Sequence, residues 1–305
     1  MSLNITYSVE VAEAKRANAP IVALESTIIT HGMPYPQNEE TARLVEEDVR
    51  THGAVPAAIA VLDGRLHVGL DSGELSALAQ AKDVAKLSRA DIGVAMATGR
   101  TGATTVAATM IAARAAGITT FATGGIGGVH RGAELSFDVS ADLQELAQTP
   151  VTVVAAGAKA ILDLPKTLEV LETLGVPVIA FGQDALPAFW SRDSGLPAPV
   201  RLDRAEDIAK AFAARQALGL PGGQLVANPI PPENEIPAET LSPLIDRALN
   251  EAASQGITAK DVTPFLLGCI FELTNGASLT ANIALVRNNA RLAAHIARAK
   301  LAQPL

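Results

Sequence analysis

Gly102-Ala103-Thr104-Thr105-Val106-Ala107-Ala108-Thr109-Met110-Ile111-Ala112-Ala113-Arg114-Ala115-Ala116-Gly117-Ile118-Thr119-Thr120-Phe121-Ala122-Thr123 decides the fold class. The alanine-rich part, Gly102–Ala116, predicts a helix whose small side chains allow close contact with a sheet. Ile118–Thr123 after it, and Ile92–Ala97 before it, are short apolar runs that predict buried strands. Working outward, Ile21–Leu24, Val151–Ala155, Val176–Phe181 and Gln224–Ala227 read as further strands, and Asn38–His52 as a helix. Pro56–Leu62 and Leu66–Leu70 flank Asp63-Gly64, a favoured hairpin turn signal. Pro187–Pro199 reads as loop, and the C-terminal stretch as three helices, Pro237–Ser254, Thr263–Asn275 and Leu279–Ala302. Short apolar strands separated by helices predict a parallel sheet covered on both faces, and the hairpin makes it mixed. The expectation is a single α/β/α domain over 1–305, with a mixed, mostly parallel central sheet and a helical C-terminal part.

Composition narrows function. With 49% hydrophobic and 18% charged residues, the 305-residue chain is far from the disordered class. One Trp, two Tyr and seven Phe leave too few rings for a base-stacking platform. A net charge of −8 without a basic run argues against nucleic acid or an anionic membrane as partner. The lone Cys269 excludes a disulfide framework. Met1–Pro20 lacks the apolar core of a signal peptide, so the expected location is cytoplasmic.

Generic motifs are absent. Gly124-Gly125-Ile126-Gly127-Gly128-Val129-His130 misses the G-x-G-x-x-G spacing, and Gly157-Ala158-Lys159-Ala160 lacks the upstream glycine and the following Ser/Thr of a phosphate-binding loop. Four strand-end segments remain. In the first, Glu25 follows an apolar strand, where open α/β sheets place ligands, and suits acid–base work or caps the next turn. In the second, Ala97–Thr105 combines glycines, Thr105 and a helix start, which suits phosphate or plain N-capping. In the third, Phe121–Asp142 holds Thr123, five glycines, His130, Asp138, Ser140, Ala141 and Asp142. Taken singly, Asp138 and Asp142 fit caps or dipole partners, and His130 a loop hydrogen-bonder. Clustered in one glycine-rich loop, they become candidates for a site that holds Mg²⁺ or Mn²⁺ through one or two carboxylates and water. In the fourth, Lys159 alone among eight lysines directly follows a long apolar, small-residue run, which suits a desolvated nucleophilic amine or a snorkelling helix-start lysine. Asn228-Pro229-Ile230-Pro231-Pro232 reads as a turn-fixing element. One of Asn275, Asn282, Asn288 and Asn289 is placed to offer an amide to a base edge.

Together, Leu24–Pro34, Phe121–Asp142, Ala156-Gly157-Ala158-Lys159, Asn228-Pro229-Ile230-Pro231 and Thr263-Pro264-Phe265-Leu266-Leu267 resemble the pseudouridine-5′-phosphate glycosidase, or indigoidine synthase A-like, family across essentially the whole chain. The resemblance implies reversible cleavage of a C–C glycosidic bond to uracil and ribose 5-phosphate, with a divalent metal (Mn²⁺, or another such as Mg²⁺) and a homotrimer. By matching positions, it implies Lys159 as covalent nucleophile, Glu25 as proton donor and Asp138 as metal ligand. Lys86, Val106 and the Ser140-Ala141-Asp142 stretch match substrate contacts, and His130 and Asn282 match other pocket residues. Thr105 and Thr123 join the substrate-binding candidates. Lys86 on its own reads as a surface lysine.

Overall fold

The computed structural model describes residues 3–257 and 262–302. Among the described residues eleven strands form one sheet: β1 (Ile5–Tyr7), β2 (Ile21–Leu24), β3 (Val55–Leu62), β4 (Arg65–Val68), β5 (Ala85–Leu87), β6 (Gly102–Thr104), β7 (Thr120–Ala122), β8 (Thr152–Ala155), β9 (Val178–Phe181), β10 (Val200–Leu202) and β11 (Gln224–Ala227). Their order is β1-β4-β3-β2-β7-β8-β11-β9-β10, with β6 branching from β3 and β5 pairing with β6. The strands from β2 through β11 to β10 are parallel, whereas β3 runs antiparallel to β4 and β6. The mixed, mostly parallel sheet expected from the sequence is therefore present. The Asp63-Gly64 turn has both residues at positive φ, 48° and 76°, which matches the strand twist of a tight hairpin and sets Leu62 opposite Arg65.

Helices cover both faces because the central strands are apolar on both sides; β8 and β11 are buried along their whole length. Ala277–Leu301 lies across β2, β7 and β8 and packs against Gln37–Thr51 and Ala205–Ala217. Val106–Ala115 packs on β2, β3 and β7 and against Ala141–Gln148. The C-terminal helix is pinned at the far end of the sheet, where the Lys300 amine donates to the Thr119 carbonyl (2.6 Å) and the Thr152 hydroxyl (2.8 Å). Burial pushes that amine well below the ordinary lysine range. Among the described residues no single helix is long and apolar enough to cross a membrane.

Two expectations around the opening stretch are corrected. Ile92–Ala97 is a helix, not a strand: only Ala95 is buried, and Val94 is 64% exposed. A six-residue apolar run has no periodicity that separates the two. The sheet position belongs instead to Gly102–Thr104, so the helix expected over Gly102–Ala116 starts only at Val106. Gly102 presses on Leu87, where a Cβ would sit 2.5 Å from the leucine side chain; only glycine lets β5 and β6 pair that closely.

Candidate active site

The chemistry-bearing residues leave the sheet at the C-terminal ends of β2, β5, β6, β7 and β8, the edge where open α/β sheets bind ligands. Glu25 follows β2. Its Oε2 accepts the Thr27 hydroxyl at 2.5 Å and its Oε1 the Thr123 hydroxyl at 2.6 Å. Thr123, 1% exposed, follows β7, and its carbonyl accepts the Asn289 amide at 2.8 Å. Asn289 is fully buried and its Oδ1 accepts from Asn228, so the Asn228 turn does brace the site, through the C-terminal helix. Thr123, expected to touch substrate, spends its hydroxyl on Glu25.

Lys159 lies four residues beyond β8 on a turn tied to the glycine-rich loop, its amide donating to the Ile126 carbonyl at 3.1 Å. Among the described residues no carboxylate lies within ion-pair distance of its amine. The loop approaches this closely because of its glycines. A Cβ on Gly125 would sit 2.7 Å from the Phe189 ring, and one on Gly127 would strike Ser140 and lie 2.8 Å from Asp142 Oδ2.

Asp142 is 6% exposed and opens Ala141–Gln148. Its Oδ1 accepts the Ala107 amide at 3.0 Å and its Oδ2 the Gly127 amide at 2.8 Å. Both oxygens thus clamp the Val106 helix to the glycine-rich loop. Thr105 N-caps that helix by accepting from the Ala108 amide, and the Val106 amide is left without a protein acceptor among the described residues. Asp138 stands 3.9 Å from His130 Nδ1, with its side chain 38% exposed. Burial lowers the His130 pKa; the Lys159 and Lys86 cations push the same way, and Asp138 opposes them. Burial and then Lys86 lower that of His31.

Two compartments meet at these residues. The polar one is lined by Arg89, Thr105, Val106, His130, Asp138, Ser140, Ala141 and Asp142. The more apolar one is lined by Ile28, His31, Met33, Phe189, Leu267 and Leu285, with Asn282 among them. Glu25, Thr27, Lys86 and Lys159 line both and form the waist between them. The structure therefore gathers every candidate except Thr123 on the walls of one cleft, and puts Thr123 directly behind Glu25.

Sequence reading missed Thr27, Arg89 and the Phe189-Trp190 pair. A hydroxyl two residues from a strand-end carboxylate was an available signal for Thr27. The chain's single Trp, placed in a Pro- and Gly-rich loop, was another. Nothing local marked Arg89, whose guanidinium pairs at 2.5 Å with the buried Glu145 from a distant helix.

A family model described as indigoidine synthase A like protein matches residues 10–299. The chain belongs to that family. Other proteins similar to it are named pseudouridine-5′-phosphate glycosidase. Those from Jannaschia sp. (strain CCS1) and Roseobacter denitrificans are 71% and 69% identical, over 98% and 99% of this chain and 99% and 97% of their own. Two solved structures share the family fold. The prealnumycin C-glycosynthase AlnA in complex with ribulose 5-phosphate has a TM-score of 0.91 at 39% identity, and an indigoidine synthase A-like protein from Thermotoga maritima 0.89 at 35%. Each spans 99% of this chain and 98% of its own. The resemblance read from the motifs holds for the indigoidine synthase A-like family over nearly the whole length.

Proposed function

We propose that this enzyme reversibly cleaves the C–C glycosidic bond of pseudouridine 5′-phosphate, giving uracil and ribose 5-phosphate through a covalent lysine–sugar adduct. One observation carries the reading. An amine and a carboxylate, Lys159 and Glu25, stand at the waist between a polar and an apolar compartment. A pentose phosphate suits the first and a pyrimidine the second, which puts the bond between them at the amine. The names of relatives about 70% identical support the substrate. The ribulose 5-phosphate bound to AlnA supports a pentose phosphate as part of the substrate.

A base joined through carbon offers no heteroatom leaving group, so the two-carboxylate glycosidase scheme does not serve. In the proposed route Glu25 delivers a proton to the ribose ring oxygen as the free Lys159 amine bonds to the anomeric carbon, which opens the ring. The proton shed by the newly bonded nitrogen passes to the uracil carbon, which lets the C–C bond break. Its electron pair returns to the base while the nitrogen lone pair forms a lysine–sugar imine, and water hydrolyses the imine to ribose 5-phosphate and the free amine. Thr27 and Thr123 aim the Glu25 carboxyl. Lys86, the Val106 amide and the polar wall around Ser140 receive the phosphate.

Asp138 would hold a Mn²⁺ or Mg²⁺ ion, with His130 beside it. Among the described residues no three potential ligands cluster, and a single carboxylate supplemented by water suits a hydrated ion of this kind. Such an ion would polarise the substrate's oxygens. The proposed assembly is a homotrimer working in the cytoplasm. Leu135, Phe137 and Val139, exposed by 87%, 85% and 44% around Asp138, offer apolar surface for a subunit contact.

The test is Lys159→Ala together with borohydride reduction in the presence of ribose 5-phosphate. The expected result is loss of uracil release from a folded variant, and a reduced pentose phosphate on Lys159 of the parent. A parent enzyme that turns over but acquires no mass at Lys159 would remove the adduct.

A further inference from the structure

Asn282 projects from the C-terminal helix into the apolar compartment, among Phe189, Leu267 and Leu285. Its Oδ1 accepts the Trp190 indole N–H at 2.7 Å. An indole nitrogen can only donate, so this bond fixes which end of the amide points where. A flipped Asn282 would set its NH₂ against the indole N–H and strand a donor on a side chain only 1% exposed. The indole itself is buried and packed. Its ring packs at 5.0 Å against Phe189, tilted by 59°, and its backbone carbonyl accepts the Ile236 amide at 2.9 Å. The Nδ2 hydrogens of Asn282 find no protein acceptor among the described residues and remain for the cleft.

We infer that Trp190 is a positioning residue that makes Asn282 a hydrogen-bond donor toward the base, so the site selects a pyrimidine presenting a carbonyl oxygen there over one presenting an amino group. The inference rests on the proposed function and adds its base specificity. A ring carbonyl completes the Asn282 amide, whereas an amino group in its place opposes N–H with N–H. Trp190 lines neither compartment, so its effect on the base passes through Asn282.

The experiment compares pseudouridine 5′-phosphate with the two C-nucleotides in which one ring carbonyl, at C2 or at C4, is replaced by an amino group. The parent enzyme is expected to reject the analogue whose amino group meets Asn282 by roughly 100-fold or more in kcat/KM. Trp190→Phe removes the indole donor and keeps an aromatic ring; it is expected to narrow that ratio to below about tenfold, because the amide is then free to turn. Asn282→Asp, which offers only acceptors when ionised, is expected to shift preference toward the amino analogue. Trp190→Leu removes the same donor and takes its place if Trp190→Phe does not fold. A ratio unchanged in the folded variants, with the parent still turning over pseudouridine 5′-phosphate, overturns the role of Trp190 and leaves the functional reading standing. A parent enzyme that cleaves none of the three overturns both.

Discussion

Replacing Thr123 with Val removes one hydroxyl and almost no volume from a site that is 1% exposed. The hydroxyl makes a single bond, to Glu25 Oε1 at 2.6 Å, and the Thr123 amide keeps its own partner, the Val154 carbonyl, in the variant. A hydrogen bond to the carboxylate charge that develops as Glu25 gives up its proton contributes about 1.5–3 kcal/mol. If that interaction holds Glu25 in line for proton delivery, its loss falls on the transition state. At 1.36 kcal/mol per decade it lowers kcat by roughly tenfold to about 150-fold. The lower end is expected, because Thr27 still holds Oε2 at 2.5 Å. KM should stay within about twofold, since Thr123 lines neither compartment that receives substrate. Steady-state release of uracil from pseudouridine 5′-phosphate separates the two constants. Thr123→Ser should restore kcat, and a thermal melt verifies folding. An unchanged kcat, or a change confined to KM, would refute the positioning role and return Thr123 to the substrate contacts that the sequence alone suggested.

Asp142→Ala should cost about 3 kcal/mol or more, because it strips two backbone amides of a charged acceptor; the melting temperature should fall by roughly 5–10 °C, and a smaller fall would show that the clamp is not needed. Gly127→Ala should abolish activity by driving a Cβ into Ser140 and Asp142, measured as uracil release from protein that still purifies folded. His31 and His130 both titrate below their unfolded value of 6.5 in the folded protein. The folded state then binds fewer protons, so their contribution is complete above about pH 6.5 and fades as pH drops below it; melting temperature should decline from pH 7 toward pH 5, and His31→Asn should shrink that decline. Chelation should lower turnover and Mn²⁺ restore it in the parent, whereas Asp138→Asn should respond weakly to added Mn²⁺.

What the sequence made legible follows from the range of the forces involved. Asp63-Gly64 and the apolar runs of β8 and β11 are decided by neighbours in sequence, and the hairpin and buried strands came out as read. Ile92–Ala97 is decided by tertiary competition. The sheet position beside β3 goes to Gly102–Thr104, whose glycine packs closely against Leu87. The same division runs through the site. Glu25 and Lys159 announce themselves because each follows an apolar run, Glu25 directly after β2 and Lys159 four residues past β8, and the loop carrying His130 and Asp138 because of its glycines. Partners supplied from afar leave no local trace. Thr123 lies 98 residues from Glu25, Glu145 56 from Arg89, and Trp190 92 from Asn282. Each of those bonds decides which way a functional side chain points. A sequence reading finds the candidate reactive groups; their orientation is set by contacts that only the folded chain brings together.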